Sequence, residues 1–118
     1  MFFRKKTHKT LATGSWLKIE SREQGIFVQL SGNLNQTFRN DLRIALQPLL
    51  KRQIQGPIVF QLSEVHSIDA TIAATVTEFF KQAQRRNISV EIWNASPVVK
   101  HAFTSLGLGK ILDKTETR

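Results

Sequence analysis

Apolar residues recur along this chain with two different periods, and the two periods alternate. A period of two marks a strand with one buried face, and a period near 3.6 marks a helix with one apolar stripe. Trp16, Ile19, Ile26, Val28 and Leu30 fall in stretches that read as two strands, turning near Gln24 and Gly25. Along Ile26-Phe27-Val28-Gln29-Leu30 the even positions are apolar, as one buried sheet face requires. Ser31 to Asn35 breaks the alternation and reads as a loop.

From Thr37 the period becomes helical, with Phe38, Leu42, Ala45, Leu46 and Leu49 on one face. The Thr37 hydroxyl is suited to cap that helix, and Pro48 should kink or end it, because proline lacks the amide donor. After Gly56-Pro57, the run Ile58, Val59, Phe60 and Leu62 reads as a strand covered on both faces. Ser63 to Ile68 reads as a loop. Asp69 then opens a second helix with Ile72, Val76, Phe79, Phe80 and Ala83 on its apolar face and Lys81, Arg85 and Arg86 towards its carboxyl end. Its opposite face carries Thr71, Ala74, Thr75, Glu78 and Gln82, and Asn87 is a suitable stop. Ser89 to Trp93 alternates as a strand. Ser96-Pro97 is a strong helix start, followed by Val98, Val99, Ala102, Phe103 and Leu106, with Gly107 as the stop. A short strand from Lys110 to Leu112 is also expected.

Strands alternating with helices favour right-handed crossovers in an α/β domain. The expected architecture is a mixed, mostly parallel sheet of four to five strands, with three to four helices mainly on one face. Residues 14–118 are expected to form a single domain behind a basic, flexible amino-terminal tail, residues 1–13.

The chain of 118 residues has 17 Lys and Arg against 9 Asp and Glu, a formal charge of +8. The distribution of that charge argues against nucleic-acid binding. Arg4, Lys5, Lys6 and Lys9 contribute four positive charges. Eleven cations against seven acids from Leu11 to Leu112 add another four, and the last six residues balance. The body therefore has no dense basic stripe. The tail, with Phe2 and Phe3 beside its cations, is a candidate for peripheral contact with an anionic membrane surface, but no stable insertion is expected. The first ten residues lack the apolar stretch of a secretion signal, and cysteine is absent; a cytoplasmic location is expected.

Catalytic constellations do not assemble. His8, His66 and His101 are far apart, and only His66 has acids, Glu64 and Asp69, close in sequence. No nucleophile elbow and no glycine-rich phosphate loop occur. No cofactor, no metal ligand and no catalytic residue is assigned.

Three motifs carry a family pattern: LSGNLN at 30–35, VFQLSEVHSIDAT at 59–71 and SPVVKHAFTSLGL at 96–108. In this order they resemble the STAS family, which includes the bacterial anti-sigma-factor antagonists and domains of anion permeases. The resemblance spans residues 16–112 and implies the STAS fold. It also implies a non-enzymatic module that binds a protein partner: a kinase-like anti-sigma factor or, as an accessory subunit or domain of a membrane transporter, the ATPase of a lipid-trafficking ABC system, as in some stand-alone STAS proteins, or a sulfate-type anion permease. Transfer of the family contact surface points to Asn33, Leu34 and Asn35 with Ile68, Asp69, Ala70, Thr71 and Thr75. The family aspartate matches Asp69, and the usual phosphoacceptor serine falls on Ala70, which has no hydroxyl. Thr71 is the local substitute and the candidate phosphorylation site. Asn33 and Asn35 stand where many antagonists carry acids, and Ile72 and Ala73 replace the glycines that often follow the acceptor.

Overall fold

The computed structural model describes residues 9–52 and 56–107. Five strands form one sheet in the order β1 (Lys9–Thr13), β2 (Leu17–Arg22), β3 (Gly25–Leu34), β4 (Ile58–Ile68) and β5 (Val90–Trp93). The pairings β1–β2 and β2–β3 are antiparallel, and β3–β4 and β4–β5 are parallel. The parallel steps are bridged by α1 (Arg39–Leu46) and α2 (Ala70–Arg85), and α3 (Pro97–Thr104) follows β5. The sheet is mixed, as expected.

The expected tail includes Lys9–Thr13, and this boundary is corrected. The segment pairs with β2, placing Lys9 opposite Ser21 and Thr10 opposite Glu20, and Leu11 packs against the core. Its sequence, KTLAT, has too few apolar residues to announce a strand. An edge strand needs only one partner ladder and half a face of packing. The remaining tail residues and the segment 110–112 lie outside the described residues.

Two expected loops are strand. β3 continues to Leu34 and β4 to Ile68, with register jumps between Gln29 and Ser31 and between Gly32 and Asn33. Each jump inserts one extra residue on β4, as bulges do. Leu62 and Val65, three apart, therefore both point into the core, at 1% and 4% exposure. The lost alternation hid the strand.

The core lies between the sheet and the helices. Ile26, Val28, Leu30, Ile58, Phe60 and Ile92 face Leu42, Ile72, Val76, Phe80 and Phe103. Phe60 lies centrally, with ring centroids 5.8 Å from Phe79 and 5.3 Å from Phe80. The other sheet face carries no helix among the described residues. There Phe27 and Trp93 meet edge to face at 5.6 Å across β4, burying Val59 beneath them, and Arg22 lies 4.3 Å over Phe27. The expected cover on both faces of β4 is thus a helical layer on one side and aromatic side chains on the other. Glu20 on this face pairs with Lys18 and Arg22, each at 2.8 Å.

Helix ends follow local chemistry. Pro48 ends α1 at Leu46, and the chain tightens into a 3-10 turn over Gln47–Lys51. Ser96 caps α3, its hydroxyl accepting from the Val99 amide. Asn87 takes a positive φ of 59° after α2, and Gly107 one of 89° after α3. Gly25 and Gly56 meet backbone to backbone where β3 and β4 begin. Both have positive φ, and a Cβ on Gly56 would overlap the Gln24 carbonyl, while one on Gly25 would overlap that of Pro57. Gly56→Ala is therefore expected to destabilise the fold by about 2 kcal/mol, read as a lower urea midpoint at unchanged slope.

Candidate functional site

Parallel strands deliver their following segments to one edge of the sheet, where open α/β folds place their crevices. Here β3 and β4 bring 33–35 beside 67–71. The Asp69 amide donates to the Leu34 carbonyl at 3.0 Å, and the Ser67 hydroxyl donates to Asn33 Oδ1 at 3.0 Å. The two segments singled out in the sequence are thus joined by direct hydrogen bonds.

Asp69 caps α2. Its backbone is extended, and Oδ1 accepts from the Ile72 amide at 3.0 Å. A carboxylate there satisfies a free first-turn donor and complements the positive end of the helix dipole. Asp69→Ala is expected to lower stability by about 1 kcal/mol, while Asp69→Asn keeps most of it, both read by thermal melting. Asn35 has the matching role before α1. Its Oδ1 accepts from the Thr37 amide at 2.9 Å and also from the Thr37 hydroxyl. Asn35, and not Thr37, is therefore the cap; the chain first makes a 3-10 turn over Gln36–Phe38 and only then enters α1.

Asn33, Asn35 and Ala70 are exposed, and Ile68, Asp69, Thr71 and Thr75 are half-buried. Leu34 is different: at 1% exposure its side chain belongs to the core and anchors the turn, so it offers no surface. Thr75 donates its hydroxyl to the Thr71 carbonyl at 2.9 Å. Among the described residues, no group of three His, Asp or Glu side chains could hold a metal ion, and no helix is long and apolar enough to cross a membrane.

The five residues read as the outward face of α2 line one groove between α1 and α2, of about 840 Å³. Its other wall is α1, through Arg39 and Arg43, continued by Gln47 just past the helix end. The two arginines were not singled out in the sequence. Their four-residue spacing, flanking the apolar stripe of α1, was the available signal.

The family model described as "Mlab, STAS domain" matches residues 17–113. The chain belongs to the STAS family. Three solved structures share the STAS fold with it. Unphosphorylated SpoIIAA, described as an anti-sigma factor antagonist, gives a TM-score of 0.72 at 16% identity, covering 86% of this chain and 87% of that one. The phosphorylated Bacillus cell fate determinant SpoIIAA gives 0.69 at 16% identity, covering 86% and 90%. A single-substitution variant of RsbS from Moorella thermoacetica gives 0.63 at 15% identity, covering 96% and 86%. At these identities the likeness is one of fold. No curated protein matches the chain significantly. The STAS domain accounts for nearly all of the described residues, and the candidate surface lies within it.

Proposed function

We propose that this STAS domain is a non-enzymatic regulatory module that docks a protein partner through the tip of α2 and the neighbouring β3–α1 turn. The observation that carries this reading is the joined pair of segments: Asn33 and Asn35 exposed beside a capped helix whose first turn, Ala70 and Thr71, is small and open. Small residues at a helix start let another backbone approach closely, which suits an edge that works by binding. The functional analogy is an anti-sigma-factor antagonist that docks a kinase-like anti-sigma factor in the cytoplasm, with Thr71 as the remaining phosphoacceptor.

Ala70 favours a second reading. With no hydroxyl at the usual acceptor position, the module suits constitutive attachment to a membrane-transporter ATPase, where no phosphate is needed to release it. Affinity capture of the tagged full chain from its native cell separates the two. A kinase-like anti-sigma factor, with phosphate on Thr71 by mass spectrometry, is the outcome of the first reading. A transport ATPase with unmodified Thr71 is the outcome of the second. Stoichiometric recovery of neither class would contradict both.

A further inference from the structure

The groove between α1 and α2 has a charge imbalance that close approach alone does not explain. Arg39 and Arg43 stand one turn apart on α1, both exposed and both lining the same wall. Among the described residues, Arg43 donates only to the neutral Asn40 Oδ1, at 3.1 Å, and neither guanidinium is ion-paired with a carboxylate. The acid of the opposite wall, Glu78, already accepts from Gln82 at 3.3 Å and faces Arg85 at 3.9 Å. Between the walls the surface is mostly apolar, interrupted by Thr71 and Thr75. Ala70 and Ala74 are small, the buried Leu46 and Phe79 form its base, and Leu106 adds a side chain that is 37% exposed.

We propose that this groove receives an acidic amphipathic segment of the partner protein, whose carboxylates pair with Arg39 and Arg43 while its apolar side lies over Ala70 and Ala74. This rests on the docking reading above and extends it to the partner's chemistry. Two cations beside an apolar floor suit a helix with one acidic edge, since guanidinium–carboxylate pairs are directional and an apolar groove accepts a helix face. A nucleic-acid backbone would need a longer track of cations. A lipid surface is too flat to enter a concave groove.

The test uses the full chain in its native cell with the photoreactive residue p-benzoylphenylalanine in place of Gln47, which is exposed and lines the groove. Irradiation should link it to one partner segment carrying Asp or Glu at helical spacing. The double variant Arg39→Glu with Arg43→Glu should cut that yield at least tenfold, with its circular dichroism unchanged. Arg39→Lys with Arg43→Lys should retain most of it. A linked segment without acids, a yield indifferent to charge reversal, or linkage to lipid, nucleic acid or a second copy of this chain would overturn the proposal. If a protein partner is still captured but links only from a probe at Asn33, the groove proposal fails and the docking reading stands. If no variant captures a protein, both fail.

Discussion

Phe60→Ala is expected to remove about 4 kcal/mol of folding stability, a large share of the roughly 5–15 kcal/mol typical of a domain. The ring is 0% exposed on the core face of β4, near the start of the strand, between Val28 of β3 and Ile92 of β5 and against Phe79 and Phe80 of α2. Truncation loses the transfer energy of the ring and leaves a cavity that two neighbouring aromatics and a fixed sheet cannot fill. Phe60→Leu keeps most of the volume and should cost under about 1.5 kcal/mol. Urea unfolding of the two variants at equal slope measures the difference. A loss below about 1 kcal/mol for the alanine variant would mean that the sheet and α2 do not pack through this ring. Because α2 carries the proposed docking tip, loosening this contact should also weaken partner capture in proportion to the population unfolded.

Ala74→Arg should have the opposite profile: capture of the partner reduced by about a hundredfold or more, with a melting temperature almost unchanged. Ala74 is exposed on α2, and arginine is a good helix former, so the fold should accommodate it. The new side chain enters the groove, fills the space over its apolar floor and adds a third cation beside Arg39 and Arg43. Both the added volume and the loss of close backbone approach oppose a tightly packed incoming segment. One residue earlier the same substitution should act through stability alone. Ala73 is 0% exposed against the core, so Ala73→Arg would bury an unpaired charge and unfold the domain. Adjacent residues thus separate binding from folding, and equal losses in both variants would contradict the assignment of faces on α2.

Much of this arrangement was legible in the sequence, and the reasons are physical. The apolar stripe of α2, Ile72, Val76, Phe80 and Ala83, is fully written in its period, because a helix buried on one face must repeat near 3.6. Asp69 and Ser96 are readable as caps, because their oxygens have a single local use before a helix. The end of α1 at Leu46 follows from Pro48. The misses have one main origin: pairing across the sheet decides what local pattern cannot. The second half of β4 looks like a loop because two bulges break its alternation, and β1 looks like tail because an edge strand needs little apolar sequence. At the start of α1 the miss is local: the Thr37 hydroxyl suits a cap, but the Asn35 side-chain oxygen, two residues earlier, takes the Thr37 amide and hydroxyl.

At the candidate site, the sequence supplied the two segments but not their hydrogen bonds. That Asn33 meets Ser67, and Leu34 meets Asp69, follows from a parallel register that no local reading contains. The same register turned Leu34 inward. Arg39 and Arg43 were visible as charges, yet their significance depends on facing α2 across a groove, which is a tertiary fact.

Hydrogen–deuterium exchange of the chain alone and in complex with its captured partner tests the docking edge most directly. The amides of Ala70 and Thr71 precede the first intrahelical hydrogen bond and have no protein acceptor among the described residues, so they should exchange rapidly in the free chain. In the complex, exchange should slow at 33–37 and 70–75. Protection confined to the opposite sheet face, around Arg22, Phe27 and Trp93, with the α2 tip unchanged, would contradict the account.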